Sequence, residues 1–170
     1  MRKKINVKVL VSVSTLIALE VILSRFLSVA TPLVKIGFGF VPIAICAMLY
    51  GPVWAGAAGA LADFLGASLF PIGPYFPGFT LSAALTGIVF GIFLYRHKGN
   101  WAQITAAVAI NCICISLLLT TYWLTLITDA PFMALLPTRV VQVAIMLPLQ
   151  FIVLRLLQKP VNDHLRKQDA

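Results

Sequence analysis

Charge is what this chain has least of. Only 11% of its 170 residues are Asp, Glu, Lys or Arg, and five of them are acidic; soluble domains carry about 25% charged residues. With 61% hydrophobic residues, the composition excludes an ordinary soluble domain. Alternation of apolar and polar residues is also missing, which excludes the strands of a membrane barrel. Lipid offers a backbone no hydrogen-bond partners, so the architecture left is helical. The composition predicts an all-α integral membrane protein. No linker, low-complexity stretch or clear repeat divides it, so residues 1–170 are expected to form a single membrane domain.

Catalytic patterns are absent as well. There is no G-x-x-x-x-G-K-[ST] loop, which excludes ATP hydrolysis by that route. No nucleophile stands with a base, and His97 and His164 fall in polar segments. The three cysteines, Cys46, Cys112 and Cys114, lie in apolar runs. They read as small buried hydrophobes, not as a disulfide or a metal site. Neither an enzyme nor a cofactor is expected.

What charge there is has a pattern. The net charge of +8 comes mostly from ten of the thirteen basic residues: Arg2, Lys3, Lys4 and Lys8; Arg96 and Lys98; Arg155, Lys159, Arg166 and Lys167. These flank apolar runs, as the positive-inside rule expects. A nucleic-acid face needs a basic stripe among polar groups instead. Arg2 to Lys4 and Ser28-Val29-Ala30 together have the outline of a cleavable signal. Glu20 interrupts the apolar stretch, however, so a retained first helix is expected.

Crossing lipid takes about 20 apolar residues. Spans are expected at Lys8–Leu27, Val53–Leu69, Thr80–Tyr95, Trp101–Ile127 and Leu135–Leu157. A further piece, Val41–Tyr50, ends at Gly51-Pro52 and is short for a crossing alone. Six transmembrane helices put both termini on one side, together with Arg96 and Lys98; that side is the cytoplasmic one. The loops after Leu27, Leu69 and Ile127 then face outward.

Ionisable groups inside apolar spans are functional candidates by default. Here they are Glu20, Arg25, Asp63 and Arg139. Arg25, Lys35 and Arg139 are the only basic residues outside the cytoplasmic clusters, and all map to the outer half. An anionic ligand would explain them, because a guanidinium matches a carboxylate bidentately. The competing readings are internal pairing with Glu20 or Asp63, and snorkelling.

Asp63 to Gly91 is the most informative stretch. Asp63 lies mid-span with Gly59 and Gly66 on its face, and such small neighbours admit a second helix or a flat ligand. A carboxylate there suits an amidine-like edge. The loop that follows holds Pro71, Pro74 and Pro77, Gly73 and Gly78, and the aromatics Phe70, Tyr75, Phe76 and Phe79. Prolines and glycines favour a shaped lid over a plain helix end, and the rings can sandwich a planar ligand. Tyr122 and Trp123 can complete the walls. The alternative for the rings is an interfacial belt or plain packing. Ser14 and Ala18, and likewise Gly87 and Gly91, form small-x-x-x-small pairs suited to close helix contact.

These segments, LVKIGFGFVPIAICAMLYGP and GALADFLGASLFPIGPYFPGFTLSAALTGIVFG, resemble the substrate-binding component of energy-coupling factor (ECF) vitamin transporters. The second segment is similar to the folate-binding members. The likeness runs from about Leu16 to Leu157, and its most specific part is Asp63-x-x-Gly66 with Pro74 to Thr80. It implies a subunit of a bacterial plasma membrane that binds one vitamin molecule at its outer side with high affinity. It further implies a transmembrane coupling protein and two cytoplasmic ATPases as partners, and toppling of the subunit to release its load. Where the family docks the coupling protein through Ala-x-x-x-Ala, this chain has Ser14 and Ala18. Arg25 lies near their face on an ideal helix, so it reaches a pocket only if the helix bends or ends near Ser24.

The expected ligand is folate. Its pterin would lie among Tyr75, Phe76, Gly78, Phe79 and Trp123, with Asp63 reading its polar edge. The glutamate carboxylates would meet Arg25, Lys35 or Arg139. Alternatives are another vitamin (pantothenate, biotin or riboflavin), a proton-coupled secondary transporter, or a membrane scaffold.

Overall fold

The structure, a computed structural model, describes residues 7–30, 35–71, 74–95, 101–128 and 131–168. Six helices make up nearly all of this: α1 Val7–Arg25, α2 Phe40–Tyr50, α3 Pro52–Leu69, α4 Pro77–Leu94, α5 Trp101–Thr128 and α6 Phe132–Gln168. One small departure from an all-helical chain follows α1. Strand β1, Ser28–Ala30, pairs antiparallel with β2, Lys35–Gly37, setting Val29 opposite Ile36. The segment expected as a plain loop is therefore a ribbon; residues 31–34, with Thr31-Pro32, lie outside the described residues.

Among the described residues, four helices are long and apolar enough to cross a membrane: α1, α4, α5 and the Phe132–Val161 part of α6. The other two differ for physical reasons. Helix α2 has 11 residues and is apolar all round, the mark of a helix enclosed by others. Ala44, Cys46 and Ala47 are fully buried there, against α1, α3, α4 and α6. Gly51 alone links α2 to α3. Its φ of 87° lies where side chains are disfavoured, and Pro52 then opens α3 with a φ already suited to a helix.

Helix α3 is built for contact with protein. Its small residues meet α4 backbone to backbone in an antiparallel ladder. Side chains added at Gly91, Gly87 and Gly59 would run into Pro52, Ala55 and Ala83 respectively. At the next rung Asp63 meets Thr80. The pair Gly87 and Gly91 thus serves the approach of α3, and so does Gly59: a helix, not a flat ligand, fills that space.

Helix α4 begins earlier than Thr80. Pro77 sits in its first turn behind the extended residue Phe76, because the ring fixes φ and the missing N–H would have had no partner there. Pro77, Gly78 and Phe79 are therefore a helix end, not part of a lid. Ile72 and Gly73 of the expected lid lie outside the described residues.

Helix α5 carries a π-helical stretch at Asn111–Leu119. Helix α6 holds Pro137, Pro148 and Pro160 and continues through the segment expected as a polar tail. Prolines are tolerated in membrane helices where neighbours satisfy the freed carbonyls. The core runs through α1, α2, α3, α4, α5 and α6, with Phe90, Ile104 and Leu154 fully buried.

Candidate functional site

The helix registers gather most of the candidate residues at one end of the bundle. The α3–α4 ladder sets Asp63 beside the first turns of α4. Antiparallel packing sets the end of α5 beside the same turns, since Trp123 abuts Gly78 while Asn111 meets Thr86. Asn111 also meets Gln150 of α6, a register that brings Arg139 level with the last turns of α5. Arg25, the final residue of α1, joins this end across α3.

The acidic part of the site is a relay. Thr80 Oγ1 donates to Asp63 Oδ2 at 2.9 Å. A hydroxyl has one proton, so at 3.2 Å Tyr75 is the donor to Thr80. Tyr75 also packs edge-on to Phe64, with centroids 5.9 Å apart. A carboxylate has about four lone-pair sites, so the bond from Thr80 leaves Asp63 room for further donors. Half-burial of Asp63 makes such bonds stronger than in water.

Beside it stands an aromatic wall. Phe76 lies 5.5 Å from Trp123 and 6.2 Å from Phe79, and Tyr122 lies 5.2 Å from Trp123. Gly78 makes room for this: a Cβ there would strike both Trp123 and Phe76. Trp123 Nε1 donates to Ser82 Oγ at 3.2 Å, and Ser82 donates to the Gly78 carbonyl at 3.1 Å. Tyr75 and Tyr122 are exposed; Phe76, Phe79 and Trp123 are half-buried.

The cations are placed separately. The Arg25 guanidinium lies on Gly66, one helical turn beyond Asp63, and its Nε is buried without a hydrogen-bond partner among the described residues. Asp63 accepts from Thr80, not from Arg25. Because α1 stops at Arg25, its side chain can turn to α3, while Ser14 and Ala18 further back along the helix are exposed. Ser14 returns its hydroxyl to the Leu10 carbonyl at 2.9 Å. Arg139 is only 5% exposed. Its Nη1 donates to Gln142 Oε1 at 2.7 Å, and its Nε also lacks a partner among the described residues. A guanidinium buried with donors unspent is rare in apolar surroundings and suits an anion. The backbone of Lys35 lies opposite Ala30 in the ribbon; its side chain falls outside the described residues.

Several polar residues given no role from the sequence connect these parts. Thr80 and Ser82 hold the acid and the wall. Thr86 Oγ1 sits 3.0 Å from the Ser82 carbonyl and 2.9 Å from Asn111 Oδ1. Asn111 Nδ2 donates to Gln150 Oε1 at 3.0 Å. The available signal was the spacing of 78, 82 and 86, one small or polar face along α4. Among the described residues, no group of three His, Cys, Asp or Glu side chains can hold a metal ion. A carboxylate, a set of rings and two underused guanidiniums suit a planar heteroaromatic molecule that carries acidic groups.

Known proteins resemble this chain in sequence and fold. The family model described as "ECF transporter, substrate-specific component" matches residues 8–157. A "Folate transporter FolT" of Clostridium novyi (strain NT) is 42% identical over 152 residues, which cover 89% of this chain and 87% of the relative. A second, from Leuconostoc mesenteroides, is 31% identical over 172 residues, covering 97% and 92%. Among solved structures, "Crystal structure of FolT bound with folic acid" superposes with a TM-score of 0.87 at 35% identity, covering 92% of this chain and 97% of that one.

Proposed function

The chain belongs to the family of ECF transporter substrate-specific components, and on that premise we propose that it is the folate-binding subunit of an ATP-driven vitamin importer. The observation that carries the reading is the likeness to a folate-bound relative over nearly the whole chain, with a carboxylate, rings and cations at one end of the helices.

In this reading the pterin lies against Phe76, Phe79 and Trp123, near Tyr75 and Gly78. Asp63 accepts hydrogen bonds from its amino-pyrimidinone edge. The glutamate carboxylates turn to Arg25 and Arg139, with Lys35 at the entrance. All six helices, one domain over residues 1–170, sit in a bacterial plasma membrane with both termini cytoplasmic and the site outward. Arg96, Lys98 and the terminal basic clusters support that orientation. The subunit has no catalytic step of its own. It hands folate inward with a transmembrane coupling protein, docked at Ser14 and Ala18, and two cytoplasmic ATPases.

The test is a titration of the purified subunit with folate, thiamine, riboflavin, pantothenate and biotin. Folate is expected to bind most tightly by orders of magnitude. Weak folate binding beside a far tighter second vitamin would overturn the assignment. Uptake by cells that lack the ATPases, driven by a proton gradient alone, would overturn the importer reading.

A further inference from the structure

Asn111 and Trp123 are both turned toward α4, and an ordinary helix would not turn them so. Twelve residues of α-helix would set Trp123 roughly 120° round from Asn111. Yet Asn111 bonds Thr86 and Trp123 bonds Ser82, neighbours on one face of α4. The π-helical stretch Asn111–Leu119 between them accounts for this. Its i→i+5 bonding turns the chain less per residue, and over nine residues that removes most of the offset.

What receives Trp123 is a single hydroxyl. Ser82 is 6% exposed and spends its one proton locally: the proton goes to the Gly78 carbonyl, which leaves the oxygen to accept the indole N–H. Indole N–H is a donor only, so this bond selects the orientation of the ring. Gly78 fixes its height, because a side chain there would occupy the ring's position. Trp123 is therefore located by α4 at two points, one by shape and one by a directional bond.

We propose that Ser82 is a positioning residue for the vitamin site: it holds the Trp123 ring in the orientation that a planar ligand stacks on, with the π-helical stretch supplying the register. This rests on the folate reading above. The role is testable apart from that reading, because ring orientation has a ligand-free signature.

The experiment uses the full-length subunit with 5-fluorotryptophan at Trp54, Trp101 and Trp123. The Trp123 fluorine resonance is assigned by its loss in Trp123→Phe. In Ser82→Ala, that resonance is expected to shift or broaden without ligand while the other two stay in place. Folate affinity should fall about fivefold, the scale of one hydrogen bond. Ser82→Thr retains a hydroxyl that can reach the same carbonyl and should restore both. If Ser82→Ala does not fold, Ser82→Cys, of similar size with weaker bonds, takes its place. An unmoved Trp123 resonance, or a moved one with unchanged folate affinity, overturns the proposal. Failure of the unsubstituted subunit to bind folate overturns the folate reading instead, and the ligand-free resonance still decides whether Ser82 holds Trp123.

Discussion

Arg25 rests on Gly66: a Cβ added to that glycine would come within 2.8 Å of the arginine Nε and 3.2 Å of Nη2. The contact ties the end of α1 to α3 one turn from Asp63. It gives Gly66 a purpose distinct from that of Gly59 and Gly87, which let α3 and α4 touch.

Gly66→Ala should therefore act through Arg25. The methyl group displaces the guanidinium, and folate affinity falls by about 1 kcal/mol. Arg25→Ala should cost about 1.5–3 kcal/mol, the scale for a bond to a charged group. The double variant should cost no more than Arg25→Ala alone. Thermal stability moves the other way in Gly66→Ala, since alanine favours a helix by about 1 kcal/mol. Calorimetric titration of the three variants checks this, and additive losses would show that the two residues act independently.

Asp63→Asn retains an oxygen for Thr80 but loses the charge offered to a ligand. Folate binding should weaken by about 1–3 kcal/mol with little change in melting temperature. Unchanged affinity with lowered stability would assign Asp63 to the fold alone.

Arg139→Ala separates the two ends of the ligand. Folate affinity should drop by about 1.5–3 kcal/mol. A folate analogue without its glutamate should bind both proteins equally. Equal losses for the two ligands would place Arg139 away from the carboxylates.

Asn111→Leu takes the amide donor from Gln150 inside the bundle, while Thr86 keeps the Ser82 carbonyl. A bond of this kind between membrane helices is worth about 0.6–2 kcal/mol, and stability should fall on that scale. Asn111→Leu with Gln150→Leu should recover part of the loss, because removing both partners costs less than stranding one. Thermal unfolding in detergent gives the comparison.

Much of the helical plan was legible because lipid leaves the backbone few solutions. Long apolar runs fixed α1, α3, α4, α5 and the start of α6 within a few residues; the end of α6 was missed because its last turns are polar. The start of α4 was misplaced because Pro77 signals both a turn and a first helical turn, and only packing against α3 and α5 distinguishes them. The ribbon after α1 was missed since its three-residue strands leave no periodicity. Asp63 and the cations stood out because charge is costly in lipid. The partners that orient them did not: Thr80, Ser82 and Asn111 are polar without charge, and their meaning depends on helix rotation, which a near-uniformly apolar sequence does not encode. The π-helical stretch likewise follows from contacts between helices that are distant in sequence.

The ladder between α3 and α4 has a mechanical consequence. Where Gly59, Gly87 and Gly91 bring backbone against backbone, no layer of side chains remains to change rotamer and absorb a displacement. Two helices without such a cushion behave as one stiff beam. A push delivered at Asp63 and Thr80, where the proposed ligand sits, is expected to reach Pro52 and Gly91 at the far end as a tilt of the whole pair. On the proposed reading, occupancy of that small site is expected to act on the α3–α4 pair as a single lever.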